Sequence, residues 1–386
     1  MPQRSEALLY APTAEPSWDA VQPEAAGFDA ARLQEAIAFH CVHETAWPTS
    51  MYLPGGRYVG TAYIGDREEH AEVIGPVRPR GGPNGLVLRG GHIAAEWGDT
   101  RRADMTFSIA KSYLGILTGL AHADGLIPDL DRSVARDVPG PWFASTHNAG
   151  ITWRHLLQQT SEWEGELWGK PDSADHNRVV GGGTASGGGA KGEARALAEP
   201  GTHFEYNDVR VNLLAACLTH RFGRPLPDVL KERVMDPIGT SGGWEWHGYR
   251  DASVEFGGDS GRRVRSVSGG GHWGGGMFIG SRDHARMGLL VSRDGLWGDR
   301  RILPAGWVRA MLTPSPRNGQ YGLMWWLNRG PDALYPSAPA DSAFALGAGA
   351  NAVWIAPSLD LVVVVRWIDR DRMDGFFGKV RAALSQ

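Results

Sequence analysis

The sequence predicts an α+β fold: an antiparallel β-sheet made by both chain ends, flanked by N- and C-terminal helices, with a mostly helical lobe inserted between them. Three observations lead there. β-rich runs joined by turn signals lie near both ends, apolar residues at helical spacing fill the middle, and amphipathic patterns open and close the chain.

Residues 28–39, FDAARLQEAIAF, place Leu33, Ala36 and Ile37 on one helical face, which predicts an N-terminal amphipathic helix in need of a sheet to lie on. GLVLRGGHIAAEWGD carries two β-rich runs around Gly90-Gly91, and paired glycines accept the positive φ of a tight turn, so a hairpin is expected. The middle holds SIAKSYLGILTGLAHADG, ITWRHLLQQTS and VRVNLLAACLTHRFG, each with apolar residues at i, i+3 and i+4. The runs from Gly181 to Gly189 and around SGGGHWGGG read as loops. ANAVWIAP and LDLVVVVRW flank a Pro357-Ser358 turn as a second hairpin, and GFFGKVRAALSQ closes the chain as a helix. Residues 1–100 and 261–386 are thus the two parts of the α/β lobe, and residues 101–260 the mostly helical lobe.

The chain of 386 residues is long enough to bury a large core without disulfides or metals. With 42% hydrophobic and 21% charged residues it has the composition of a folded, water-soluble protein. A net charge of −4 supplies no basic field for the phosphates of a nucleic acid, so no nucleic-acid partner is expected. No signal-peptide core or membrane-length apolar run is evident, and two distant cysteines, Cys41 and Cys217, make no disulfide framework. These observations predict a cytoplasmic protein with no membrane partner.

The chemistry centres on Ser108-Ile109-Ala110-Lys111, at the start of an apolar-periodic helix. Positions i and i+3 share a helix face, which brings the Lys111 amine within reach of the Ser108 hydroxyl. The helix N-terminus also directs backbone N–H groups toward an oxyanion formed beside the serine. Serine is a weak nucleophile until a base takes its proton, and an ordinary lysine is protonated at neutral pH. Either the lysine is made less basic or another group serves. Among the five lysines only Lys111 has a serine three residues before it, a spacing that chance alone also produces.

The wider context is a family likeness. TFSIAKSYLGILTGLAHADGLIPDLD resembles the nucleophile region of class C β-lactamases, penicillin-binding proteins and their esterase and amidase relatives, and ITWRHLLQQTS resembles the helix that follows it. HFEYNDVRVNLLAACL is similar to their second motif, a tyrosine, one residue, then an asparagine; Tyr206 matches the tyrosine, and Asp208 stands where the asparagine belongs, with Asn207 before it. GGGMFIGSRDHARMGLLV resembles the stretch after the helical lobe, so the likeness spans roughly residues 20–380. At the third motif, a basic residue, a threonine and a glycine on a strand, this chain has Ala345, Leu346 and Gly347. Losing the basic residue argues against an efficient β-lactamase or cell-wall peptidase and resembles the esterases and the 6-aminohexanoate-dimer hydrolases.

This resemblance implies a β-lactamase/transpeptidase-like fold and acyl transfer in two steps, with no cofactor and no metal. Ser108 attacks a small-molecule ester or amide, Lys111 or Tyr206 takes its proton, and the backbone N–H groups of Ser108 and Ala348 form the oxyanion hole. Asp208 is expected to pair with Lys111 and keep it protonated, favouring Tyr206 as base; the alternative turns Asp208 to solvent and lets Asn207 compensate. Asp208, Asn207, Gly347, Trp168, Trp163 and Trp273 are the residues the resemblance implies for substrate binding. Among the 16 tryptophans, Trp163, Trp168, Trp273, Trp325 and Trp326 are candidates for an apolar acyl or amine pocket, and equally for core. His272 is a further candidate for substrate contact. His40-Cys41-Val42-His43 sets three ligands too close together for tetrahedral zinc, and GGGTASGGGAKG lacks the phosphate-loop pattern. Two rivals stay open beside a small-ester or linear-amide hydrolase: a D-amino-acid peptidase or weak β-lactamase, and a catalytically silent binding protein.

Overall fold

A computed structural model describes residues 10–180, 189–256, 261–329 and 333–385. The helices that matter here are α1 (Ala30–Val42), α2 (Val59–Ile64), α3 (Ile109–Ala123), α4 (Asp208–Phe222), α5 (Ser281–Ser292) and α6 (Met373–Ala382). The strands are β1 (Asn84–Arg89), β2 (His92–Trp97), β3 (Asp104–Met105), β4 (Glu245–His247), β5 (Gly276–Ile279), β6 (Trp326–Leu327), β7 (Ala343–Gly347), β8 (Asn351–Ala356) and β9 (Leu361–Arg366).

A six-stranded sheet, in the order β6-β7-β8-β9-β1-β2 and antiparallel throughout, joins the two ends of the chain. Both expected hairpins are present. β1 turns into β2 through Gly90 and Gly91, each at positive φ (59° and 87°), the conformation for which glycine carries no Cβ penalty. β8 turns into β9 through Pro357–Leu359. The unbroken run Leu361 to Val365 is buried on both faces: Leu361, Val363 and Val365 pack under α1 and α6, while Val362 and Val364 pack toward the helical lobe. α1 lies against α6 on one face of the sheet and α5 covers the other. α1 starts where the Asp29 carboxylate accepts the Arg32 N–H, and it buries Leu33 and Ala36 as its spacing predicted.

α3 runs through the centre with every residue from Ile109 to Ala121 buried, which explains its apolar character all round. The segment between α3 and α4 differs from expectation. Among its described residues the α-helices are short, Thr146–Ala149 and Trp153–Leu157. Buried ion pairs tie the rest: Arg210 reaches Glu162 (2.7 Å) and Asp172 (2.8 Å), and Arg195 reaches Glu162 (2.7 Å) and Glu205 (2.8 Å). Burial would push the Glu162 carboxyl up, but Arg195 and Arg210 outweigh it and hold it at about 2. The glycine-rich loop expected from Gly181 lies, at residues 181–188, outside the described residues. No helix among the described residues is long and apolar enough to cross a membrane.

Candidate active site

β3 leads into the turn that presents Ser108. Thr106 N–H donates to the Met277 carbonyl of β5 (2.8 Å), and Phe107 then takes a positive φ of 52°. Such a backbone is costly for a residue with a side chain and persists only where the surroundings impose it. Ser108 is the N-terminal cap residue of α3, yet its hydroxyl caps no helix N–H. It accepts instead from Lys111 Nζ at 2.7 Å, and it is half-buried among neighbours that are fully buried.

Lys111 is 1% exposed and is held on three sides. Its Nζ donates to Ser108 and to the Gly269 carbonyl (3.3 Å), and it pairs with Asp208 Oδ1 at 2.6 Å. The expected pairing of Asp208 with Lys111 is therefore present, and Asp208 is buried rather than turned to solvent. Burial raises the Asp208 carboxyl, but Arg178 and Lys111 beside it overcome burial and hold it well below the usual carboxylate range. The Tyr206 ring comes to the same place, with Lys111 Nζ 4.9 Å and the Arg178 guanidinium 5.1 Å from its centroid. Tyr321 and Trp326 pack against that ring.

The end of β7 abuts the nucleophile turn. A Cβ on Gly347 would lie 2.2 Å from the Thr106 carbonyl oxygen, so only glycine lets strand and turn approach this closely. Ala348 follows at once, packed against the Trp47, Phe107 and Trp367 cluster, with its carbonyl held by Asn351 Nδ2 at 2.7 Å. Gly270 borders the site from a third side: a Cβ there would meet Lys111 Nζ at 3.3 Å and Ser108 Oγ at 3.6 Å.

Several expected contacts are placed elsewhere. Asn207 caps α4, accepting from the Val209 N–H (2.9 Å) and Arg210 N–H (3.3 Å) and donating to Asp172. Its amide is fully used in that cap, which removes it from the substrate-binding set. Trp163 donates to the Trp142 carbonyl, Trp273 stacks on His272 at 3.9 Å, and Trp325 is fully enclosed; these three belong to the core and have no face for a pocket. Trp168 is partly exposed and packs edge-on to Tyr249. His272 is also buried, between Asp66 (2.7 Å) and Asp208 (3.3 Å), behind the Lys111–Asp208 pair rather than in front of it.

The sequence reading missed the groups behind that pair. Arg178 Nη1 joins Asp208 Oδ2 (3.1 Å) to Asp175 Oδ2 (3.0 Å), and Lys191 pairs with Asp175 (3.0 Å) and Asp66. Asp66, Asp175 and His272 are close enough to share a metal ion, but the Lys191 ammonium already lies against both carboxylates and Arg178 pairs with Asp175, so positive charge is already supplied there. Also missed were the aromatic side chains packed around Phe107, the residue before Ser108. Trp47 is edge-on to Phe107 at 5.3 Å, and Tyr63, half of it exposed, lies 5.2 Å from Trp47. A cleft of about 390 Å³ lined by Ile74, Pro76, Trp246, Arg250, Arg265 and Val267 contains none of Ser108, Lys111, Tyr206 or Asp208. Side-chain chemistry, rather than cleft size, locates the site.

A sheet made by both chain ends, a helical lobe and a serine–lysine pair at the head of a buried helix define a serine β-lactamase-like architecture. Residues 93–377, well over half of the chain, match the sequence model of the beta-lactamase family, and the chain belongs to that family. Its fold is similar to that of SurE bound to D-Leu (TM-score 0.57, 16% identity, covering 94% of this chain and 75% of the other). It is similar also to EstCE1, a hydrolase with promiscuous acyltransferase activity (0.56, 16%, covering 92% and 99%). A penicillin-binding protein homologue from Caulobacter crescentus shares the fold as well (0.55, 14%, covering 78% and 92%). At these identities the likeness concerns the fold alone. No curated protein matches the chain in sequence.

Proposed function

We propose that the chain is a serine hydrolase that cleaves a small ester or linear amide through an acyl-enzyme on Ser108, without cofactor or metal, in a cytoplasmic setting. The observation that carries the reading is the 2.7 Å contact between Lys111 Nζ and a Ser108 hydroxyl left free by its helix. Lys111 is committed to Asp208 and donates to Ser108, which leaves Tyr206 as the group to take the serine proton. In this scheme Ser108 Oγ attacks the carbonyl carbon while its proton passes to the Tyr206 phenolate. The oxyanion rests on the N–H groups of Ser108 and Ala348. Collapse expels the alcohol or amine, which takes the proton back from Tyr206. Water then attacks the acyl-enzyme by the same route, the acid leaves, and Ser108 recovers its proton.

Family membership and a hydrolase such as EstCE1 among the structures of this fold support acyl transfer as the chemistry. Ala345 is enclosed in β7 opposite Val353 and offers no charge to a substrate carboxylate, which places the peptidase and β-lactamase readings second. The test is intact-protein mass spectrometry after exposure to short-chain p-nitrophenyl esters and a fluorophosphonate probe. An adduct on the Ser108 peptide of the wild type, absent from Ser108→Ala, is the expected result. A folded wild type that neither forms an adduct nor turns over ester would instead be the silent binding protein.

A further inference from the structure

We propose that Arg178 is a positioning residue of this site, a buried counter-charge to Asp208 that lets a carboxylate stand where the family's second motif carries an asparagine. The inference rests on the serine-hydrolase reading above. A neutral amide at position 208 would leave the Lys111 field undiminished at Ser108 and Tyr206. A carboxylate adds a negative charge 2.6 Å from that lysine and, alone, would cancel it.

The geometry shows how the extra charge is met. Asp208 divides its two oxygens: Oδ1 faces Lys111, and Oδ2 faces Arg178 Nη1 at 3.1 Å. Arg178 is 7% exposed, and its guanidinium carbon sits 5.1 Å from the Tyr206 ring centroid, beside Lys111 Nζ at 4.9 Å. The ring is thus flanked by two cations with one carboxylate between them, so that Asp208 fixes the lysine while Arg178 offsets the added negative charge beside the ring. Asp175 is the second partner of Arg178 and is held in turn by Lys191, which also binds Asp66. Three carboxylates (Asp66, Asp175, Asp208) thereby meet three basic side chains (Lys111, Arg178, Lys191) around His272. Removing one member leaves a buried charge uncompensated, whereas removing Asp208 and Arg178 together keeps the balance.

This pairing is tested by a double-mutant cycle in the full chain, with kcat and KM measured separately on p-nitrophenyl butyrate and the rate of fluorophosphonate labelling measured alongside. Asp208→Asn and Arg178→Met are each expected to lower kcat by about 10- to 100-fold while KM stays within about threefold. The double variant is expected to exceed either single variant in kcat by about tenfold, and Arg178→Lys to retain more activity than Arg178→Met. A double variant whose loss equals the product of the single losses would overturn the proposal, as would an Arg178→Met enzyme with wild-type kcat. If Arg178→Met fails to fold, Asp208→Asn, Arg178→Lys and the double variant decide: a double variant no better than Asp208→Asn overturns it. Failure of the hydrolase reading itself shows differently: as a folded wild type with neither fluorophosphonate adduct nor turnover, which overturns both readings, or as turnover that survives in Ser108→Ala.

Discussion

The contact between Gly347 and Thr106 makes Gly347→Ala the most informative single substitution. The added methyl would lie 2.2 Å from the Thr106 carbonyl oxygen and 3.4 Å from Ile109 Cγ1. Neither side can yield locally: Gly347 is paired with Asn351 in the sheet, and Thr106 N–H is bonded to the Met277 carbonyl. An ordinary carbon–oxygen contact then requires strand and turn to separate by roughly 1 Å, a strain of about 1–3 kcal/mol for a buried overpacking change. In the proposed mechanism that separation moves the Ala348 N–H away from the oxyanion it is proposed to hold beside Ser108. A displacement of this size in a reacting geometry costs about 100-fold in rate. The expected outcome is a kcat for p-nitrophenyl butyrate lower by about two orders of magnitude, with a melting temperature lower by only a few degrees. Wild-type kcat in a folded Gly347→Ala protein would refute the placement of the β7 end at the acyl site. A protein that loses melting temperature and keeps its turnover would refute it equally.

Three further perturbations separate site from scaffold. Gly270→Leu puts a side chain against Lys111 Nζ and Ser108 Oγ, and is expected to abolish fluorophosphonate labelling in a folded protein; full labelling would remove Gly270 from the site. Asn207→Ala deletes the α4 cap and its donors to Asp172, and should cost about 2 kcal/mol in denaturant unfolding with KM unchanged; a raised KM at constant stability would return Asn207 to the substrate. Burial, only partly offset by the hydrogen bond to the Arg366 carbonyl, depresses His40 from 6.5 to about 4 in the folded chain. The unfolded chain therefore binds a proton between those values that the folded chain does not, so stability present above about pH 6.5 is lost toward pH 4, by up to about 3 kcal/mol from this group. Urea midpoints should fall over that window and fall less in His40→Gln; equal slopes would contradict the assignment.

The parts of this molecule legible in the sequence are those encoded locally. Helical spacing marks α1, α3 and α6, paired glycines mark the first hairpin, and three residues of separation bring Lys111 to Ser108 because a helix turns once in that distance. Burial of a strand on both faces likewise shows as the unbroken valine run of β9. Tryptophan abundance, by contrast, says nothing about orientation, and Trp163 and Trp273 prove to be core. Asn207 was misplaced for a local reason: an asparagine just before a helical repeat is a capping signal, and capping consumes the amide that substrate binding would need.

Asp66, Asp175, Arg178 and Lys191 had no such signal, because ionic partners need proximity in space and no fixed spacing in sequence. A motif comparison at position 208 registers a carboxylate in place of an amide and gives it one partner, Lys111. Asp208 has a second buried partner, Arg178, which lies in a segment without regular secondary structure. A charge introduced into an interior this dry persists only if an opposite charge is buried with it, so the departure from the family pattern at Asp208 itself requires a buried partner such as Arg178.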